Sequence, residues 1–302
     1  MASLYTHRDA NIRKTLLLFT VFLIVVVGVG WIFAEVYGNP AILYAAIAIS
    51  VVMNVVAYWN SDKLVIRMAG AVPASREQYP ELHRLVENLC IAAGLPVPKI
   101  YIVNDAAPNA FATGRNPQHA AVAVTTGLLS ILNRAELEGV LAHELSHIGN
   151  RDTLISTAAV VLAGSIAMLS DIFLRSLWWG GGRRNREGGG YLLLAAIVAA
   201  ILAPLAASLL RLAISRKREF LADASGALLT RYPEGLAAAL EKIAAAPQGL
   251  KVARNATAHL WFASPFRADR KQARVSWFVK LFMTHPPIEE RIRALRGMEI
   301  QS

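Results

Sequence analysis

Four long runs of uncharged, mostly apolar residues set the pattern of this chain. The first fills 15–34 (TLLLFTVFLIVVVGVGWIFA), between Lys14 and Glu35. A Gly38-Asn39-Pro40 turn leads into the second, 41–59. The third is free of charge over 153–170 and extends to 174; the fourth, 191–210, contains Pro204. About 20 apolar residues cross the ~30 Å hydrocarbon core of a bilayer. Core helices of soluble domains rarely stay apolar all round for so long. Each run therefore predicts a transmembrane helix, in two hairpins, 15–59 and 153–210. The first run is too long for a signal-peptide core and lacks a small-residue cleavage site, so it is expected to stay attached.

Between the runs the pattern changes. Residues 1–14 form a short basic tail with Arg8, Arg13 and Lys14. Residues 60–152 and 211–302 have ordinary soluble composition and are expected to form two halves of one domain. The 176–190 loop (SLWWGGGRRNREGGG) is rich in Gly and Arg. In the first half, Leu82, Leu85, Leu89 and Ala92 at helical spacing predict an amphipathic helix over 78–93. The segments 99–104, 110–113 and 120–125 read as short strands, the last stopped by Gly127. Asn133, with Glu136 three residues later, is a capping-box signal for a helix running to Gly149. Its apolar stripe is Leu137, Val140, Leu141, Leu145 and Ile148. The fold expected is mainly α with a small β-sheet, in a multi-pass membrane protein.

Composition supports this. Apolar residues reach 55% and charged ones 17%, against about 25% charged in soluble domains. Such a chain is neither disordered nor, with Cys90 alone, a disulfide scaffold. Lys plus Arg is 31 and Asp plus Glu 21, a net charge of +10. A charge this positive commonly marks nucleic-acid binding. Here the basic residues cluster beside the hydrophobic runs, which favours anionic headgroups, with Arg211, Arg216, Lys217 and Arg218 meeting them.

The helix that follows Asn133 carries His143-Glu144-Leu145-Ser146-His147, an H-E-x-x-H motif. Residues at i and i+4 share a helical face, so both imidazoles can reach one ion, and Glu144 sits about 100° around, placed to touch a water beside it. Zn²⁺ suits two imidazoles, one carboxylate and an open position. A third ligand is expected on another helix. Glu219 and Asp223 are again i and i+4: Glu219 can bind the metal, and Asp223 can hold a ligand histidine through its second N–H. By spacing alone they read equally well as solvated acids balanced by Arg216, Lys217 and Arg218. The other histidines, His7, His83, His119 and His259, carry no such pattern.

These pieces together resemble the HtpX family of membrane-bound zinc metalloendopeptidases, relatives of the CAAX prenyl proteases. The matching segments are the two N-terminal runs, N-A-F-A-T-G at 109–114, H-E-L-S-H at 143–147, S-R-x-x-E-F-x-A-D at 215–223 and H-P-P-I-E-E-R-I at 285–292. The resemblance implies a gluzincin-type zinc metalloprotease domain in which His143, His147 and Glu219 hold one Zn²⁺ and Glu144 is the base. It implies a cytosolic active site in a bacterial inner membrane protein that degrades damaged membrane proteins. In similar peptidases an edge strand pairs with substrate backbone. Asn109, Ala110, Phe111 and Ala112 are the candidates, with 120–125 the second choice. His285 could stabilise an oxyanion or simply precede the helix that Pro287 opens.

Topology follows from coordination. His143 and His147 precede the third run and Glu219 follows the fourth, so the chain crosses the membrane an even number of times between them. Lys63, Arg67 and Arg76 join the basic tail on one side of the first hairpin, and its turn has no Lys or Arg, which places the tail and metal site in the cytosol. Arg175, Arg183, Arg184 and Arg186 oppose full spanning of the second hairpin, which could instead lie shallowly in the inner leaflet; spanning is the reading adopted. At 1.5 Å per helical residue the metal lies within roughly 10–15 Å of the membrane surface. Substrates expected there are membrane proteins or unfolded polypeptides. A second enzyme reading is an intramembrane protease, but Glu136, Glu138, Asn150, Arg151 and Asp152 flank the motif, and charges at that density are costly at membrane depth. A non-enzymatic scaffold with a structural metal is the alternative, and structural zinc sites usually close with four ligands, mostly Cys.

Overall fold

The first two apolar runs form one helical hairpin. In this computed structural model, which describes residues 4–180, 216–246, 261–262 and 286–298, helix α1 spans Leu4–Tyr37 and α2 spans Ala41–Met68. The basic stretch is thus the first turns of α1. Gly38 makes the reversal possible: its φ of +60° is a left-handed conformation that disfavours side chains. Asn39 then accepts the Ala41 N–H on its side-chain oxygen at 3.0 Å, opening α2.

Both helices are long and apolar enough to cross a membrane. Only 28% of the apolar stretch of α1 and 11% of that of α2 is buried within the protein. Leu16, Ile24, Trp31, Val52 and Val55 stand exposed. An apolar surface that large is an aggregation liability in water and is solvated by lipid. A further helix, Asp152–Gly180 (α6), packs on the hairpin: Ile155, Ala159, Leu162 and Ile166 meet Leu18, Phe22, Val26 and Ala57. The fourth run, 191–210, lies outside the described residues.

The sheet has four strands in the order β1-β2-β4-β3. These are β1 (Val72–Pro73), β2 (Lys99–Val103), β3 (Ala110–Gly114) and β4 (Ala120–Thr125). β2 and β4 are parallel, while β3 runs antiparallel to β4 with Phe111 opposite Ala123. Both faces are covered. Ile100, Ile102, Val122 and Val124 pack against the helices on one face of the sheet, through residues such as Leu85, Val140 and Leu141. Tyr101, Val103, Phe111 and Ala123 pack against Val65 and Ile66 of α2, Val160 of α6, and Trp261. β3 and β4 are therefore buried at every position, without alternation.

Helix α3 (Pro80–Ala93) buries Leu82, Leu85 and Leu89 as expected, whereas Ala92 is exposed. A short helix α4 (Thr126–Ile131) was not anticipated, and Gly127 lies inside it. Thr125 ends the strand by accepting the Leu128 N–H at 3.1 Å. Helix α5 (Arg134–Gly149) opens on the Asn133–Glu136 capping box, with both bonds formed. Its five-residue apolar stripe is buried, each side chain contributing about 1.5–3 kcal/mol. Helices α7 (Arg216–Thr230) and α8 (Pro233–Ala245) cross α5, and α9 (Ile288–Arg296) closes over them.

Candidate metal centre

Helix α5 presents His143 and His147 on one face, ring centroids 4.7 Å apart. Helix α7 brings Glu219 to them. Gly226 allows this approach: a Cβ there would lie 2.9 Å from the His143 nitrogen. Glu219, Asp223 and Gly226 share one face of α7 by spacing, so the close crossing at Gly226 sets both acids against the histidines.

The donor atoms converge. His143 Nε2 and His147 Nε2 are 3.1 Å apart, and the Glu219 carboxylate oxygens lie 3.9 Å and 3.6 Å from them respectively. Two nitrogens bound ~2.0–2.1 Å from one tetrahedral ion would be roughly 3.3–3.4 Å apart. The three residues thus have the spacing of a metal triad.

Each ring is oriented from behind. His143 Nδ1 donates to Asp223 Oδ1 at 2.8 Å, and His147 Nδ1 donates to Asp152 Oδ2 at 3.0 Å. A carboxylate only accepts, so both protons sit on Nδ1. Both Nε2 lone pairs then point at the same spot, which is repulsive unless a cation lies between them. The surroundings of His147 do favour positive charge. Burial opposes it, but Asp152 and Glu219 outweigh burial and raise its pKa to about 9. For His143, burial wins over Asp223 and lowers the pKa to about 4. The donor set and its electrostatics fit a divalent metal ion.

Asp223 is itself held. Buried Arg291 of α9 donates to it from Nε at 2.8 Å and Nη2 at 2.6 Å, and from Nη1 to the Phe262 carbonyl at 3.2 Å. Against the cost of burial, Arg291 holds the Asp223 carboxyl at about 2. Phe262 stacks edge-on against His143 at 5.0 Å.

Glu144 is buried beside His147, Glu219 and Arg291. Burial pushes its pKa up to about 7, with neighbouring His147 and Arg291 pulling the other way. Its carboxylate also takes a hydrogen bond from the Ala112 backbone. β3 is the outermost strand on this side. Thr125 N–H donates to the Asn109 carbonyl, which fixes the ladder's phase, so the backbone groups of Ala110, Ala112 and Gly114 face away from β4. The Ala110 carbonyl accordingly accepts the Phe262 N–H at 2.8 Å. β4, the second choice for an edge, is paired on both sides.

Sequence reasoning missed three residues. From the sequence, Asp152 reads only as a flanking charge. Its position, five residues after the second histidine of the H-E-x-x-H motif, is the available signal. Arg291 sat inside a matching segment without a role. Arg218, expected at the headgroups, is buried instead, with Nε 3.8 Å from Asp152 Oδ1; Arg216 and Lys217 are exposed. His83 and His119 bond locally, to the Ala74 carbonyl and to Asn116. Cys90 is buried. His285 lies outside the described residues.

A small mixed sheet beside an H-E-x-x-H helix, with a carboxylate arriving from a later helix, defines a metallopeptidase. The family model "Peptidase family M48" matches residues 76–299, and the chain belongs to that family. A "Protease HtpX homolog" of Caldanaerobacter subterraneus subsp. tengcongensis is 46% identical over 305 residues, covering 99% of each chain. One from Pyrococcus furiosus is 48% identical over 277 residues, covering 91% of each. The crystal structure of S. mikatae Ste24p has the same fold at a TM-score of 0.51 and 18% identity, covering 96% of this chain and 67% of that one. The chain is a membrane metalloendopeptidase of the HtpX type, acting on polypeptides.

Proposed function

We propose that this protein is a zinc-dependent endopeptidase that cuts damaged or misfolded membrane proteins at a cytosolic site beside a bacterial inner membrane. The observation that carries the proposal is the convergence of His143, His147 and Glu219, from two separated stretches, on one point. Two imidazoles and one carboxylate are the donor set of a catalytic zinc, with a position left open. We assign one ion per chain. When bound, the ion supplies Lewis acidity that polarises a peptide carbonyl and acidifies water.

The chain's own residues do the rest. Glu144 takes up the proton of the attacking water and returns it to the leaving amine nitrogen. A carboxylate raised to about 7 is matched to that exchange near neutral pH. Asp223 and Asp152 hold the two rings. Asn109, Ala110, Phe111 and Ala112 lie on the outer strand to which an extended substrate would add through the outward-facing groups of Ala110 and Ala112, displacing the Phe262 N–H from the Ala110 carbonyl. The hydrogen bond between Ala112 and Glu144 supports this, because it sets the edge directly beside the base.

Orientation follows from charge. The start of α1 carries Arg8, Arg13 and Lys14, and the hairpin turn carries no basic residue, which supports a cytosolic site. Because the donors lie on both sides of the second hydrophobic pair, we assign an even number of crossings there. We keep 60–152 and 211–302 as two halves of one protease domain. Packing of the sheet directly on α2 and α6 supports a site close to the membrane. A site so placed suits substrates that are themselves in or at the membrane.

The test is the full chain purified in detergent, with metal content and casein digestion measured for wild type and Glu144→Gln. We expect zinc in both and cleavage only in wild type. Cleavage by Glu144→Gln would refute the role given to Glu144. Zinc without cleavage in either protein would favour a scaffold with a structural metal.

A further inference from the structure

Asn11 is a polar side chain buried at 4% exposure on the first membrane helix. It sits one turn before the uncharged run that begins at Thr15, and 136 residues from His147 in sequence. An unpaired amide buried there would be destabilising, and the Asn11 side chain is paired at both its nitrogen and its oxygen. Its Nδ2 donates to Asp152 Oδ1 at 2.6 Å and to the Asn150 carbonyl at 3.1 Å. Its Oδ1 faces Arg218 Nη1 at 3.4 Å. All its partners belong to the α5–α6 junction or to α7, which carries Glu219.

The partner that matters is Asp152. One of its oxygens takes the Asn11 amide and the other takes His147 Nδ1 at 3.0 Å. A carboxylate held at both oxygens cannot rotate, so its plane, and with it the His147 ring, is fixed by the membrane helix. The chain of contact runs from α1 through Asn11, Asp152 and His147 to the metal-facing Nε2.

We propose that Asn11 is a positioning residue of the metal site: by clamping Asp152 it aims His147, so that metal affinity depends on the seating of α1 against the α5–α6 junction. The inference rests on the metallopeptidase reading above. It makes the first membrane helix part of the active site rather than only an anchor. The contrasting role is plain interhelical glue, a hydrogen bond that only ties one membrane helix to its neighbours. Glue would alter stability without altering the ligand geometry.

The experiment uses the full chain in detergent and two readouts: the zinc dissociation constant by competition with a chromophoric chelator, and the visible spectrum of the Co²⁺-loaded protein. The variants are Asn11→Leu, Asp152→Ala, their double, Leu18→Ala and His143→Ala. Leu suits a membrane helix better than Asn, so Asn11→Leu does not impair insertion. Leu18 is fully buried in the packing of α1 on α6 but lies outside the polar chain, so it reports packing loss alone.

We expect Asp152→Ala to weaken zinc about 10–100-fold, as loss of a ligand's orienting partner does, and Asn11→Leu on the order of 3–10-fold with a changed Co²⁺ spectrum. The double variant should bind no worse than Asp152→Ala, and Leu18→Ala should lower the melting temperature with wild-type zinc affinity. Wild-type affinity and spectrum in Asn11→Leu would overturn the inference. So would losses that add in the double variant, or an equal affinity loss in Leu18→Ala. If wild type binds zinc no better than His143→Ala, the metal-site reading itself fails, and that result is distinct from the others.

Discussion

Gly226→Ala places one methyl group where α7 crosses α5. The added Cβ would lie 2.9 Å from the His143 nitrogen, 3.2 Å from its Cα and 3.3 Å from the Ala142 carbonyl carbon. Favourable contacts fall at about 3.5–4.0 Å, so the helices must separate by on the order of 0.5–1 Å. All three atoms are backbone, and α5 is itself held between β3 and α8, so no side chain can swing aside. Two effects on stability oppose each other. Alanine in a helix interior is favoured over glycine by about 1 kcal/mol. Overpacking costs about 1–3 kcal/mol. The net loss is about 0–2 kcal/mol. Metal affinity should respond more strongly, because Glu219 and Asp223 ride on the displaced face. Ligand distances tolerate only about ±0.2 Å, and a fall of about 10–100-fold is expected, as for other losses of ligand orientation. Zinc competition and thermal unfolding of the full chain measure the two quantities separately. Gly28→Ala on α1, where a Cβ meets nothing within 4 Å, is the control: helix propensity should leave stability equal or raise it by up to about 1 kcal/mol, with zinc affinity unchanged. A Gly226→Ala protein with wild-type zinc affinity and a raised melting temperature would refute the claim that this crossing sets the site.

Arg291→Met should be strongly destabilising. It strands the buried Asp223 carboxylate, now bonded twice to the guanidinium, and breaking such a pair costs about 3–5 kcal/mol; chemical unfolding with unchanged stability would contradict it. Asn133→Ala removes the capping box that opens α5 and should cost about 0.5–2 kcal/mol. Because the cap lies ten residues before His143, zinc affinity should hold in that variant, and an affinity loss larger than the stability loss would show that the helix start positions the ligands.

Much of the architecture is legible along the chain because it is written in periods. An unbroken apolar run can only face lipid or a deep core, so α1 and α2 were readable from length alone. The stripe of α5 and its Asn133–Glu136 cap repeat at helical spacing, so the helix and the shared face of His143 and His147 followed directly. The sheet was less legible. β3 and β4 are buried on both faces, so no alternation distinguished the outer strand from the inner one, and only the pairing order placed β3 beside Glu144. Arg218 misled for a related reason. A basic residue beside a hydrophobic run looks like a headgroup contact until a buried carboxylate, Asp152, is found within reach.

The apolar runs, the helix that carries the H-E-x-x-H motif, and the placement of Glu219 and Asp223 on one face are all readable from residue order alone. These depend on contacts within a few residues, where helical geometry is fixed. Which acids meet which histidines was decided only by tertiary structure. Glu219 reaches the site from 72 residues beyond His147, Arg291 from 148 beyond His143, and Asn11 from the far end of the chain. A residue pattern states which face of an element is buried and leaves its partner open. The partner is chosen by close packing, here by a glycine at 226 that lets α7 rest on the backbone of α5.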